Sequence, residues 1–260
     1  MRASLIQIAV DPDEPVEDRR ARVGRLVREE RGTAELVVLP ELWPMGAFAY
    51  EAFAAEAEPL KGATYQAMSA AARDAEVWLH AGSIVEAVSG ALYNTSLVFS
   101  PDGELAASYR KIHRFGFDKG EAVLMAAGED LVTVDLPQLT VGVATCYDLR
   151  FPELFRGLVD AGAQAFVVPA GWPARRRAHW TLLAQARAVE NQAYVLACGT
   201  AGTHAGVEQA GHSIVVDPWG EVLGEAGPDE EILRVALDPA RVATTREQFP
   251  ALKDRVLGRP

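Results

Sequence analysis

Val141-Gly142-Val143-Ala144-Thr145-Cys146-Tyr147-Asp148-Leu149-Arg150-Phe151-Pro152-Glu153 reads as a strand, a sharp polar bend and the start of a helix. The first positions are apolar and β-branched, as a buried strand requires, and Pro152 suits a first helical turn, where its missing N–H costs nothing. The same texture runs outward in both directions. Leu36-Val37-Val38-Leu39 is a continuous apolar run of the kind found in strands buried on both faces. Before it, Val16, Val23, Leu26 and Val27 fall at helical spacing among charged residues. Further strands are expected at 4–10, 77–84, 93–100 and, beyond the turn Pro101-Asp102-Gly103, toward Tyr109. The second half adds strands at 131–136, 139–145, 165–169, 194–198, 213–217 and 232–237. Helices are expected at 64–74, 152–161, 175–191 and 239–256, and Asp217-Pro218-Trp219-Gly220 has the look of a hairpin turn. Strands mixed with helices throughout predict an α/β fold in which helices cover sheet faces. No stretch resembles a linker or a repeat, so 1–260 is read as a single domain. The number of sheets does not follow from the pattern.

Composition narrows the function. The chain has 260 residues, 49% hydrophobic and 23% charged, which is the balance of a soluble globular protein. Its net charge of −11 argues against a partner built on a phosphate backbone, so no nucleic acid is expected. No run approaches the ~18 apolar residues of a membrane span, and MRASLIQIAV passes straight into strand-like sequence, so no membrane association is expected. Two cysteines, Cys146 and Cys198, cannot make a disulfide framework, and a cytoplasmic protein with reduced thiols is the expectation.

Three windows put a reactive side chain just after an apolar strand, where ligand groups gather in α/β folds. Glu41 follows the 36–39 run and Pro40. In a dry pocket its carboxyl pKa would rise and suit proton shuttling, whereas in an open loop it is an ordinary glutamate. Lys111, in Tyr109-Arg110-Lys111-Ile112-His113, is either a buried cation able to hold an oxyanion or one more surface lysine of a basic cluster. Cys146 sits at the bend of the opening stretch, a geometry that exposes nucleophiles, and nearby positive charge would favour its thiolate. The competing reading is a buried structural thiol, which is how Cys198 reads inside Val195-Leu196-Ala197-Cys198.

Other chemistries lack their residues. A phosphatase loop starting at Cys146 needs arginine where Pro152 stands. A cysteine–histidine pair could draw on His80, His113, His179, His204 or His212, and no local signature selects one. Phosphate-loop, zinc-protease, paired-ligand zinc and dinucleotide patterns are missing.

Taken together, PELW at 40–43, YRKIH at 109–113 and CYDLRFPELFR at 146–156 resemble the nitrilase superfamily of carbon–nitrogen hydrolases, which uses a Glu–Lys–Cys set in this order. The spacings, 70 residues from Glu41 to Lys111 and 35 from Lys111 to Cys146, are usual for it. The likeness continues through NTSLVFSPDGELAASYRKIH, GWP at 171–173, HWTLLAQARAVENQAYV at 179–195 and GHSIVVDPWGEVL at 211–223. It implies a four-layer α-β-β-α sandwich, paired as a homodimer or higher homo-oligomer, with no metal or organic cofactor. It also implies a second glutamate seven residues before a glycine that precedes an acidic residue. Here Gly128 precedes Glu129, which selects Glu121, although the stretch FGFDKGEAVLMAAGED departs from the commoner aromatic-rich form.

The resemblance implies that Cys146 attacks an amide carbonyl while Glu41 takes the thiol proton and returns it to departing ammonia. Lys111 and the backbone N–H of Tyr147 would stabilise the oxyanion, a donor of that kind lowering the barrier by ~2.7–4 kcal/mol. Water activated by Glu41 or Glu121 would then cleave the thioester. Arg187, Glu190 and Asn191, spaced to share one helix face, are assigned to tethering the helix near the active-site strand. Trp172 is either a pocket wall or ordinary packing.

The motif wording is similar to the ω-amidase branch, which implies a small-molecule amide substrate such as 2-oxoglutaramate or 2-oxosuccinamate. Its carboxylate wants a cation, which Arg150 or the run Arg175-Arg176-Arg177 could supply; that run reads equally as a solvated face. A deaminated-glutathione amidase, an N-carbamoyl amidohydrolase and a nitrilase are the alternatives within the fold. A catalytically silent binding subunit is the alternative outside enzymes.

Overall fold

The computed structural model describes residues 1–258. Strand β1 (Arg2–Gln7) leads through helix α1 (Val16–Glu29) to β2 (Leu36–Val38), and α2 (Ala63–Ala75) leads to β3 (Trp78–Val88), β4 (Ala91–Phe99) and β5 (Leu105–Arg110). A one-turn helix α3 (Glu121–Leu124) precedes β6 (Thr133–Asp135), β7 (Thr140–Val143), α4 (Pro152–Asp160) and β8 (Ala165–Ala170). Helix α5 (Arg177–Asn191) and β9 (Tyr194–Gly199) follow, then a small hairpin of β10 (Thr203–His204) and β11 (Val207–Glu208). Strands β12 (Ile214–Val216), β13 (Val222–Glu225) and β14 (Glu231–Ala236) and helix α6 (Ala240–Gln248) come last.

Among the described residues the larger sheets are two of six strands each, ordered β14-β1-β2-β3-β4-β5 and β13-β12-β9-β8-β7-β6. Their centres are parallel, β1-β2-β3 in one and β7-β8-β9 in the other, and their edges antiparallel. Parallel strands must be covered on both faces, and the sequence obeys this with period two. In β8, Ala165 and Val167 pack into the core between the sheets, while Phe166 and Val168 pack outward against α4 and α5. In β2, Leu36 and Val38 face the other sheet, and Val37 lies in the layer formed with α1 and α2. The result is the expected four-layer α-β-β-α sandwich. Each of the larger side chains here, Val, Leu or Phe, contributes about 1.5–3 kcal/mol on full burial.

The structure departs from the sequence reading at several ends. The helix expected over 239–256 stops at Gln248, because Phe249 precedes Pro250 and takes extended backbone (φ −134°, ψ 85°). The helix expected from residue 175 begins at Arg177, after a tight turn over Ala174–Arg176. Strand β3 runs on to Val88 because its pairing with β4 continues to Val88 opposite Ala91. The β10–β11 hairpin, β13 and α3 were outside the sequence reading, being too short or too polar to show a period.

Candidate active site

The carboxyl ends of β2, β7 and β8 point the same way: β2 is parallel to β1 and β3, β8 to β7 and β9, and a parallel bridge between Ala9, beyond β1, and Ala201, beyond β9, aligns the two sheets. Glu41 comes just beyond β2, Cys146 beyond β7, and Gly171 and Trp172 beyond β8. Strand β5 runs in the same direction as β3, antiparallel to the β4 between them, and delivers Lys111 at its end. Cys146 holds a left-handed backbone (φ 49°), as does Leu42 after the glutamate (φ 43°). Such conformations are costly for non-glycine residues and persist where the surroundings over-determine them.

Four side chains meet there. The Lys111 ammonium donates to Glu41 Oε1 at 2.6 Å and to Glu121 Oε2 at 2.7 Å. Asn94 Nδ2 donates to both carboxylates, at 2.9 Å to Glu41 Oε1 and 2.5 Å to Glu121 Oε1. Backbone amides complete the set, Gly171 N on Glu41 Oε2 at 2.8 Å and Phe115 N on Glu121 Oε2 at 2.9 Å. Every carboxylate oxygen therefore has a donor. That matters because these side chains are at most 5% exposed, where an unpaired charge would be prohibitive. The Cys146 thiol faces Gly171 O at 3.8 Å and lines one hollow with Glu41, Lys111 and Glu121.

The charges set the protonation states. Burial alone would lower the Lys111 pKa, but the Glu121 and Glu41 carboxylates outweigh it and hold the ammonium well above its usual range. Burial raises the Glu121 carboxyl; Lys111 works against that, and the Glu41 charge adds to it. Burial also pushes the Cys146 thiol well up, with the Glu41 charge reinforcing it against Lys111. The expectation that nearby positive charge favours a resting thiolate is thus corrected: Cys146 rests as a neutral thiol. A carboxylate in reach of that thiol can accept its proton during attack, and an ammonium alongside can meet the negative charge on a carbonyl oxygen.

The approach to the thiol is narrow. Two adjoining hollows of about 20 and 10 Å³ share Phe48, Phe115, Cys146 and Gly171 in their walls. Arg150 and Arg176 line the larger one, Arg150 over the Trp172 ring (4.9 Å) and Arg176 over Phe115 (5.1 Å). Among the described residues neither guanidinium has a carboxylate partner. Arg176 is lowered by burial and by the charges of Arg175 and Arg150, so an anion between Arg150 and Arg176 relieves a standing repulsion. An open cleft of about 530 Å³ beside Tyr93, Arg110 and Glu129 contains none of the four clustered groups. Among the described residues no three His, Cys, Asp or Glu side chains are grouped as metal ligands, and no helix is long and apolar enough to cross a membrane.

Residues 2–247 match the model of the carbon-nitrogen hydrolase family. The chain belongs to that family. It is 43% identical to a 2-oxoglutaramate amidase of Paenarthrobacter nicotinovorans over 260 residues, 97% of this chain and 88% of that protein. It is 38% identical to omega-amidase NIT2 of Mus musculus, covering 98% of this chain and 94% of the relative. Its fold is similar to a mutant amidase from Nesterenkonia sp. AN1 with the acetamide moiety of fluoroacetamide added at the active-site cysteine (TM-score 0.87, 26% identity, 98% of this chain and 94% of that one).

In this carbon–nitrogen hydrolase, Glu41, Lys111, Glu121 and Cys146 from the sequence reading lie together. Tyr147 and Trp172 line the larger hollow, with Arg150 and Arg176. Trp172 is both wall and packing: it is 3% exposed, its ring lies 5.4 Å from Trp180, and its Nε1 donates to Arg176 O at 2.8 Å. Of the arginine run only Arg176 reaches the site, since Arg177 pairs with Glu225 at 2.8 Å and Arg175 lines a separate surface hollow. Arg187 Nε holds Leu149 O at 3.0 Å while its Nη1 pairs with Glu190 at 2.7 Å, tethering α5 to the cysteine turn as expected. None of the five histidines bonds the Cys146 thiol among the described residues. Asn94 was missed by the sequence reading; its only signal there was an amide inside an apolar strand. Phe48 and Tyr50 have no periodic signal, since Phe48 lies in the turns after Glu41 and Tyr50 opens a single 3-10 turn over Tyr50–Ala52.

Proposed function

We propose that the protein is an amidase that releases ammonia from small ω-amides of 2-oxo acids, with 2-oxoglutaramate and 2-oxosuccinamate as substrates. The observation that carries this reading is a neutral thiol beside a buried Glu–Lys–Glu cluster, with two arginines free of carboxylate partners at the mouth. The names of the relatives, a 2-oxoglutaramate amidase and an omega-amidase, point the same way. The carboxylate of the substrate sits against Arg150 and Arg176, and its ω-amide reaches inward to the thiol.

In this reading Cys146 Sγ attacks the amide carbon as Glu41 takes the thiol proton. Lys111 and the Tyr147 N–H hold the oxyanion. The C–N bond breaks, Glu41 returns the proton to nitrogen, and ammonia leaves a thioester. Water then gives a proton to Glu41 or Glu121 and adds to the thioester carbon; the C–S bond breaks and the sulfur recovers its proton. The nucleophile must stay a free thiol, which fits a cytoplasmic location. A homodimer is part of the proposal: Leu182 and Val189 of α5 and Trp219 and Phe249 are large apolar side chains left 41–64% exposed.

The test is ammonia release from 2-oxoglutaramate and 2-oxosuccinamate by the wild type and Cys146→Ala. Turnover on either that vanishes in the variant is the expected result. Wild-type activity confined to nitriles or carbamoyl amino acids would overturn the substrate assignment.

A further inference from the structure

Asp148 stands two residues beyond the cysteine, is fully buried, and lines neither of the hollows at the thiol. Its carboxylate is a hub with donors from two separate segments. Oδ2 accepts from the backbone N–H of Thr145 at 2.9 Å and from the Tyr109 hydroxyl at 2.7 Å. Oδ1 accepts from the backbone N–H of His113 at 3.0 Å and lies 2.7 Å from His113 Nδ1. The pattern of these partners is specific. Tyr109 and His113 bracket Lys111, two residues to either side, and Thr145 is the residue immediately before Cys146.

One buried carboxylate therefore grips both sides of the oxyanion lysine and the entry to the thiol. The conformation it secures is costly in itself, because Cys146 has a left-handed backbone (φ 49°) at the head of a tight turn over Cys146–Arg150. Thr145 is held on its other side by Ser96, whose Oγ lies 3.1 Å from Thr145 Oγ1. The His113 ring stacks flat on Phe151 at the far end of the same turn, with centroids 3.7 Å apart.

We infer that Asp148 is a positioning residue, which fixes the Cys146 thiol relative to Lys111 by clamping residues 109, 113 and 145 to one carboxylate. It touches no reacting atom. The inference rests on the proposed roles of Cys146 and Lys111 and is indifferent to which amide is the substrate. Displacing a reacting group by about 1 Å costs ~10²-fold in rate, and that sets the size of the expected effect.

The test compares Asp148→Asn and Tyr109→Phe with wild type well below their melting temperatures, scored per folded molecule. Asparagine keeps the shape but turns an NH2 toward donors that need an acceptor, and Tyr109→Phe removes one donor to the carboxylate together with the longer bond (3.3 Å) that the hydroxyl accepts from Ile112 N. The expected result is a 10–100-fold fall in kcat for Asp148→Asn and a 3–10-fold fall for Tyr109→Phe, with KM within twofold in both. Carbamidomethylation of Cys146 by iodoacetamide needs no substrate and should slow in the same order. That readout separates failure of this assignment from failure of the 2-oxo-amide reading. If Asp148→Asn does not fold, Tyr109→Phe decides alone. Variants that lose melting temperature but keep wild-type kcat and alkylation rate per folded molecule would overturn the inference, leaving Asp148 a purely structural carboxylate.

Discussion

Cys146 and Cys198 are the same side chain at two places in one sheet system, and burial pushes both thiols up. Cys198 lies inside β9 with regular strand backbone, and its sulfur packs between the sheets against Val38 O (3.4 Å) and Ile6 O (3.6 Å). Cys146 lies past the end of β7, in left-handed backbone, with Glu41 and Lys111 beside it. The direction in which the thiol pKa moves therefore does not distinguish the two. What distinguishes them is a base in reach and an opening to the surface: the strand interior denies both, and the strand end supplies both.

The largest effect to seek is on that contrast itself. Cys146→Ala should lower turnover by ~10⁴-fold or more while the thermal midpoint stays near wild type. Cys198→Ala should leave kcat and KM within twofold and cost about 1 kcal/mol of stability in a urea melt. Equal kinetic losses in the two variants would break the comparison.

Much of the contrast is legible in the sequence, and for a physical reason. A strand buried on both faces must be apolar throughout, so a polar residue just beyond one, such as Glu41 after 36–39 or Cys146 after 139–145, stands out. Cys198 is embedded in such a run and reads correctly as packing. The sheet count is not legible, because the strands of either sheet carry the same apolar signature. Nor is the Asn94 bridge or the Asp148 clamp, since each depends on segments 27 to 53 residues apart meeting in space. Glu121 was reachable only through family spacing, as the one-turn helix that begins with it has no period of its own.

A smaller effect sharpens the contrast by separating binding from thiol chemistry. Arg150→Met should raise KM for 2-oxo-acid amides about 10–100-fold with kcat within a few-fold, and should leave the rate of Cys146 alkylation alone. Steady-state ammonia release at several substrate concentrations checks it. A fall in kcat at constant KM would move Arg150 into the chemistry.

Smaller again is a pH effect on stability. Glu121 is raised in the folded state above its unfolded value, so the folded protein holds that proton more tightly. Its contribution to stability is fully present below the unfolded pKa and is lost as pH rises through the folded one. Glu121→Gln removes that loss. The melting temperature of Glu121→Gln minus that of wild type should therefore become more positive from pH 4 to pH 8, measured by differential scanning fluorimetry in one buffer series. A difference that becomes more negative over that range would reverse the sign of the shift.

Whether Glu41 works as the base for a neutral thiol is decided by Glu41→Gln read two ways on the same sample. The Glu41 charge pushes the thiol up, so removing it favours the thiolate. If Glu41 is the base, turnover falls ~10²–10⁴-fold while carbamidomethylation of Cys146 at pH 8, located by peptide mass spectrometry, stays level or quickens and Cys198 stays unmodified. Turnover and alkylation falling together would contradict it, and would make Glu41 a support for the cysteine instead of its base.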